Sequence, residues 1–416
     1  MIEEELGNLT TIYKELHAAP ELSHREENTS AFLAAELRRA GYSVTERVGR
    51  YPEGTQAYGV VGILKNGIGP TLLIRAEMDA LPVTEDTGLP YASKVRSITP
   101  TGENVGVMHA CGHDIHLTCL IGVARIMAKL RSQWRGTLML ICQPSEETID
   151  GAKAMLADGL YERFGTPDFA IALHDYPFPA GDVAVVSGSA LSSSTSIDVI
   201  MRGTSSHGSA PEKGKDPIVM AAEFIVQVQT IVSRCVPPQQ AAVVTVGQIH
   251  GGTKRNIIPD EVRLELTTRS YNPAVRQIII EGVRRTASGV ALAAGVPQNR
   301  MPIVNVLDNE SSPVTNNDPA LAARLQHLFT QRFGADHIHD MSPLMVSEDF
   351  GVYGMDGKIP YVIFWLGMED AKVFIDAREK SIELPSLHSS RFAPAPELTL
   401  KTGITALCDA ALDLLK

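Results

Sequence analysis

The chain has 416 residues and a formal net charge of −11, from 37 Lys and Arg against 48 Asp and Glu. An acidic chain with no basic run offers no electrostatic footprint for nucleic acid or an anionic membrane as its main partner. Hydrophobic residues make up 44% and charged residues 20%, a globular balance that excludes a disordered chain and suits roughly two to three domains.

The opening segment MIEEELGNLTTIYKEL is acidic and amphipathic, without the basic stretch and apolar centre of a secretory leader. Five cysteines, odd in number and widely scattered, do not read as a disulfide framework. Apolar runs such as YVIFWLGM at 361–368 are too short to cross a bilayer. The expectation is a reduced, cytoplasmic protein with neither nucleic-acid nor membrane partners.

Segments 71–80 (TLLIRAEMDA), 137–144 (TLMLICQP) and 169–175 (FAIALHD) begin as near-continuous apolar runs, the pattern of strands buried on both faces of a parallel sheet. Between the first two, Leu117, Leu120, Ile121, Ala124 and Met127 fall on one helical face within 116–130. Strand–helix–strand alternation predicts an α/β layer structure. The middle of the chain changes grammar. SIDVIMRG (196–203) reads as a strand, and a helix follows from Asp216 and Pro217 to about Arg234. AAVVTVGQI (241–249) and EVRLELTTR (261–269) read as strands, 273–294 as a helix and MPIVNVL (301–307) as a closing strand. That order, β-α-β-β-α-β, is the ferredoxin-like arrangement. It predicts an inserted domain at 189–305 within a discontinuous domain formed by 1–188 and 306–416. Beyond it, Asp318-Pro319 starts a helix that Gly334 stops, PYVIFWLG (360–367) is a buried strand, and 396–415 a closing helix.

Four segments could carry chemistry. MHACGHDIH (108–116) holds His109, Cys111, His113, Asp114 and His116 just before an apolar helix. Thiolate, imidazole and carboxylate are the donors that bind zinc-like divalent ions. CQPSEE (142–147) puts Glu146 and Glu147 at a strand end, where open α/β sheets place their ligands. A cation would relieve the repulsion of the two carboxylates, one binding it while the other stays free to move a proton. His174 in HDYP (174–177) and His388 in LHSS (387–390) occupy places from which one metal site could be completed.

These segments, together with RAEMDALP (75–82), SSHGSAP (205–211), NIIPD (256–260) and SEDF (347–350), occur in the order found in the M20 metallo-amidohydrolases, and the chain resembles their hippurate hydrolase and indoleacetyl-amino-acid hydrolase branch. HAAPELSHRE (17–26) matches that branch's opening signature. The resemblance implies a metallopeptidase-like catalytic domain with an inserted lid that also dimerises. It implies two divalent ions per subunit, Mn²⁺ or Zn²⁺ ahead of Co²⁺ or Ni²⁺, held by Cys111, His113, Glu147, His174 and His388. Glu146 would be the general acid/base, and Asp79 would orient a ligand imidazole. His207 would reach the reacting carbonyl, from its own subunit or across the dimer, and Asn256 and Arg269 would bind the carboxylate of an N-acyl amino acid. Glu77 stands where that branch commonly has aspartate, and SSSTS (192–196) replaces bulkier residues.

Two other readings use the same residues. A thiol amidase with Cys111 as nucleophile and His113 or His174 as its base leaves Glu147 and His388 without a role. A non-catalytic carrier of acyl-amino acids leaves Glu146 without one. VSGSALS (186–192) lacks the second glycine of a nucleophile elbow, and GIG (67–69) precedes a strand rather than a helix. Cys119, Cys142, Cys235 and Cys408 are expected as packed thiols, His337 and His339 as solvated side chains, and His24 and His250 carry no assigned role.

Overall fold

Strands that are apolar along their length need cover on both faces, and four such strands lie side by side at the centre of one sheet. In the computed structural model, which describes residues 1–99 and 102–416, the chain forms two units. One comprises Met1–Ala190, Asn316–Ser342 and Asp349–Lys416; the other comprises Leu191–Thr315 and Pro343–Glu348.

The first unit is built on a seven-stranded sheet in the order Ser43–Arg50, Gln56–Asn66, Gly136–Gln143, Thr71–Glu77, Phe169–Pro179, Tyr361–Glu369, Val183–Ala184. The four from Gly136–Gln143 to Tyr361–Glu369 are parallel; Gln56–Asn66 and Val183–Ala184 flank them antiparallel, and Ser43–Arg50 pairs antiparallel with Gln56–Asn66. Leu72, Leu73, Ile74, Leu138 to Cys142 and Val362 to Phe364 are buried in this sheet. The carboxyl ends of all four parallel strands therefore open on one edge, where α/β sheets place ligands.

His113–Lys129 packs against the helices Ile2–Ala18 and Pro396–Leu414 as well as the strand Thr71–Glu77. The expectation of a single apolar face is too narrow. The helix is buried on nearly all sides, Thr118, Cys119 and Val123 included, because helices cover the flanks the sheet leaves open.

The second unit has a four-stranded antiparallel sheet in the order Ala242–Gly251, Glu261–Ser270, Ser193–Arg202, Ile303–Ser312. Ile197, Val199 and Met201 alternate toward Phe224, Val228, Ile279 and Val283 of the helices Pro217–Thr230 and Pro273–Ala293. Each helix starts the same way: Asp216 accepts the Ile218 amide and Asn272 the Ala274 amide, with proline at the next position. Leu191 bridges Leu344, and the Ser192 amide donates to the Val346 carbonyl at 2.9 Å, so 343–348 returns to this unit.

Two details differ from expectation. The α-helix after Asp216 ends at Thr230 and continues as a π turn, Ile231–Cys235. Pro217–Cys235 spans 19 residues at a mean hydropathy of 1.4, a longer apolar stretch than the run at 361–368. Its Met220, Phe224, Val228 and Ile231 are consumed by the core, while Ile218, Val219 and Val226 face solvent.

Candidate metal centre

Each motif reaches the open sheet edge by its own route. The chain leaves Thr71–Glu77 through Asp79, and Leu81 bridges Met108, which brings the Cys111 segment alongside. Gly112 caps the following helix at φ 75°, with Asp175 so close that a Cβ would lie 1.9 Å from its Oδ2. Only glycine fits both the dihedral and the contact. His113 is the first helical residue. Glu146 and Glu147 follow Gln143 after Ser145 at φ 53°, and His174 lies within Phe169–Pro179. His388, at φ 66°, comes from a loop whose amide at that residue donates to the Ala110 carbonyl at 2.7 Å.

These side chains converge. Cys111 Sγ is 3.6 Å from His174 Nε2 and 3.3 Å from His388 Nε2. Glu147 lies 3.6 Å from His388 Nε2 and 4.0 Å from His113 Nε2, and Glu146 lies 3.9 Å from the same His113 nitrogen. Two donor triads, Cys111–His113–His174 and Cys111–Glu147–His388, have all their donor atoms within 4.8 Å of one another and share the thiol.

Backbone groups decide which imidazole nitrogen faces inward. The Asp79 carbonyl accepts the His113 Nδ1 proton at 2.7 Å, and the Asp175 carbonyl that of His174 Nδ1 at 2.8 Å. Both rings then present a bare Nε2 lone pair to the cluster, the tautomer a metal requires. His113 Nε2 is fully buried and has no hydrogen-bond partner, a costly arrangement unless a cation uses it. Burial and the carboxylates of Glu147 and Glu146 push the Cys111 thiol well above its ordinary value, so a negative sulfur there also needs a neighbouring cation. The residues fit a divalent metal.

Asp79 is wired differently from a simple imidazole-orienting carboxylate. Its Oδ1 is 3.6 Å from His113 Nδ1, farther than the backbone oxygen. The carboxylate instead accepts the amides of Glu146 and Glu147 at 3.1 and 3.0 Å and the Ser23 hydroxyl at 2.7 Å. Burial would raise this carboxyl; His113, Ser23 and the Glu147 amide outweigh it and hold it below its ordinary range.

The five candidates in 108–116 separate. Only Cys111 and His113 take part in the two triads that share the thiol. Asp114 accepts from His17 Nδ1 at 2.7 Å. His116 Nδ1 lies 2.9 Å from Glu77 Oε2, and its Nε2 accepts the Asp175 amide at 3.1 Å. That second bond occupies the lone pair a metal would need. His109 is buried, and burial pulls its imidazole down to about 4, so its ring is neutral. Glu77 also pairs with Arg75, which bonds Gln143 and Asp349 of the SEDF segment beneath the centre.

Residues without an assigned role prove to be supports. His17 and Ser23 hold Asp114 and Asp79, and Glu26 accepts the Ser145 amide at 2.8 Å. His24 lies 3.3 Å from Asp150. The opening signature therefore braces both ligand loops; its density of polar residues beside apolar ones was the available signal. His337 and His339 are not free solvated side chains: both clamp Asp182, each at 2.6 Å. Cys235 is exposed rather than packed, while Cys119, Cys142 and Cys408 are buried. His250 is exposed beside Gln248.

In the second unit, His207 and Asn256 stand beside each other: His207 pairs with Ile257 across a two-residue ladder, and the Gly208 amide donates to the Asn256 carbonyl at 2.8 Å. Arg269 spends one guanidinium nitrogen on the Ser194 hydroxyl (2.7 Å), the Thr267 hydroxyl (2.5 Å) and the Thr268 carbonyl (3.0 Å). Among the described residues it has no carboxylate partner, and burial lowers its pKa. A partly buried arginine in that state is a ready receptor for an anion.

The profile described as Peptidase family M20/M25/M40 matches residues 73–388. The chain belongs to this family. It is 37% identical to the hippurate hydrolase of Campylobacter jejuni over 85% of this chain and 87% of that protein. It is 35% identical to the N-acetyldiaminopimelate deacetylase of Leuconostoc citreum, over 89% and 91%. Among solved structures it is similar to the Bacillus subtilis YXEP protein, a dinuclear metal binding peptidase from the M20 family, with a TM-score of 0.78, 27% identity and 99% of each chain covered. This M20 chain is thus a metal-binding amidohydrolase with the family's mixed α/β fold.

Proposed function

We propose that this M20 amidohydrolase cleaves the amide bond of N-acyl amino acids, releasing a carboxylic acid and an amino acid. The observation that carries the reading is the pair of donor triads sharing Cys111 with Glu146 beside them. The names of two relatives, a hippurate hydrolase and an N-acetyldiaminopimelate deacetylase, both denote removal of an acyl group from an amino acid nitrogen.

Cys111, His113, Glu147, His174 and His388 hold two divalent ions per subunit, manganese or zinc, with cobalt and nickel as further candidates by donor chemistry. Such ions would polarise the scissile carbonyl and acidify the attacking water. Glu146 takes the proton of that water and returns it to the leaving nitrogen. His207 donates a hydrogen bond to the carbonyl oxygen as it gains charge. Asn256 and Arg269 bind the substrate carboxylate, the guanidinium through two parallel hydrogen bonds. Asp79 holds Glu146, Glu147 and His113 in mutual register.

The second unit serves as a lid and as the surface of a homodimer. Support comes from Ala242–Gly251, an outer strand with a largely exposed face, and from the exposed Ile218, Val219 and Val226 of the apolar helix. Sedimentation showing monomer alone at micromolar concentration would remove the dimer. The five cysteines, none paired, agree with a reducing, cytoplasmic location.

The decisive experiment joins metal analysis to turnover of a panel of N-acyl amino acids on one preparation. About two equivalents of divalent metal with release of free amino acid is expected. Metal-free protein that still turns over would sink the reading, and so would metal-loaded protein that binds the panel without product.

A further inference from the structure

His207 is gripped on one side of its ring. The Ser209 amide lies 3.1 Å from His207 Nδ1 and the Ser209 hydroxyl 2.7 Å from the same nitrogen. An amide N–H can only donate, so Nδ1 is the bare, accepting nitrogen; in the neutral ring the proton then sits on Nε2. This is the opposite tautomer from His113 and His174, whose Nδ1 atoms donate to backbone carbonyls. The same chain thus sorts its imidazoles by the backbone group each meets: a carbonyl makes a lone-pair donor of Nε2, an amide makes a proton donor of it.

The ring's neighbours keep this geometry in place. His207 ends the strand Ser206–His207, paired with Ile257–Ile258, and the Ala210 amide closes a turn onto the His207 carbonyl at 2.8 Å. A Cβ at Gly208 would lie 3.1 Å from the Asn256 backbone, so glycine lets the turn that folds Ser209 back onto the ring pack closely against Asn256.

We propose that Ser209 is a positioning residue that fixes His207 in the Nε2–H tautomer, so that the ring offers a proton, not a lone pair, to an oxygen gaining negative charge. Its hydroxyl and amide share the Nδ1 lone pair, and no other hydrogen bond of that ring is made among the described residues. The proposal rests on the reading of His207 as the group that meets the substrate carbonyl, while the tautomer is a property of the free protein.

The test is nitrogen-15 NMR of the full-length protein labelled at histidine, with the His207 signals assigned by their loss in His207→Ala. The expected spectrum shows Nδ1 as an unprotonated acceptor and Nε2 as protonated. Ser209→Ala, on an exposed turn, should keep the thermal midpoint and, because the backbone amide still donates to Nδ1, the Nε2–H tautomer, while the ring loses the hydroxyl that holds its orientation. It should also lower kcat on an N-acyl amino acid about three- to tenfold, the size of one neutral hydrogen bond, with KM within about twofold. Ser209→Thr, which brings the hydroxyl back, should restore kcat. A wild-type His207 protonated on Nδ1, or an unchanged kcat in Ser209→Ala, overturns the proposal. If the spectrum is as expected but no N-acyl amino acid is hydrolysed, the tautomer assignment stands and the reaction reading falls.

Discussion

The carboxylate of Asp79 accepts the backbone amide of Glu147 at 3.0 Å. Its other oxygen takes the Glu146 amide at 3.1 Å, and its backbone carbonyl takes the His113 ring proton at 2.7 Å. One residue thereby ties together two loops, one reached 34 positions along the chain from it and the other 67. Asp79→Ala should weaken metal binding about 10- to 100-fold, the usual loss when a ligand's outer partner is removed. Competition against a colorimetric chelator measures it, and unchanged affinity would mean the loops hold themselves.

Glu146→Gln keeps the shape of the side chain and removes its basicity. Turnover should fall by about 10²–10⁴, with metal content per subunit unchanged. Near-normal turnover in a metal-loaded variant would show that another group moves the proton.

Treatment with a chelator should abolish turnover and lower thermal stability, because the buried donors lose the charge that compensates them. Adding Zn²⁺ or Mn²⁺ at about 100 times its dissociation constant should restore roughly 2.7 kcal/mol of stability by mass action. Calorimetry with and without metal reads this directly; identical transitions would argue against a metal at these residues.

His17 is buried between Asp114 and Glu85, 2.7 and 3.1 Å from its two ring nitrogens. Burial opposes its charge, but the two carboxylates outweigh burial and lift it from 6.5 to about 9. The folded-state pKa is raised, so this contribution is complete below the unfolded value of 6.5 and is lost as pH rises through about 9. That rise corresponds to roughly 3 kcal/mol. Denaturant melts of wild type should therefore weaken between pH 6.5 and 9, and His17→Gln should flatten that slope. Parallel slopes in the two proteins would place the charge elsewhere.

Arg269 keeps its remaining guanidinium edge free of carboxylates among the described residues. Arg269→Lys should raise KM for N-acyl amino acids about 10-fold or more, since the planar two-bond geometry is lost. Methyl esters of the same substrates should be affected little. Equal losses for acid and ester would place the substrate carboxylate on another group.

Much of this was readable before any coordinates. Apolar runs within 71–80, 137–144 and 360–367 marked strands buried on both faces, and Asp before proline marked two helix starts, at Asp216 and Asp318. These signals are local: a strand's burial and a helix's cap are written within a few residues. The segment Ala371–Lys380 was not foreseen as a helix, since only Ala377 in it is buried and the apolar periodicity is weak. The bracing role of 17–26 was also hidden, because its partners lie at Asp79, Asp114 and Ser145.

The residue types along the chain pointed to a metal site, and the family resemblance proposed its donors: a thiol and an imidazole two positions apart, a carboxylate after a strand, and two distant histidines. Residue types alone could not say which nitrogen of each ring is bare, or which of His109, His113 and His116 faces the other donors. His113, His116 and His207 each meet a different backbone group at Nδ1 or Nε2: a carbonyl from Asp79, an amide from Asp175, an amide from Ser209. Residue identity is chemical and travels with the sequence. The direction of a lone pair is geometric, and for His113 and His116 only the folded chain brings the atom that sets it within reach.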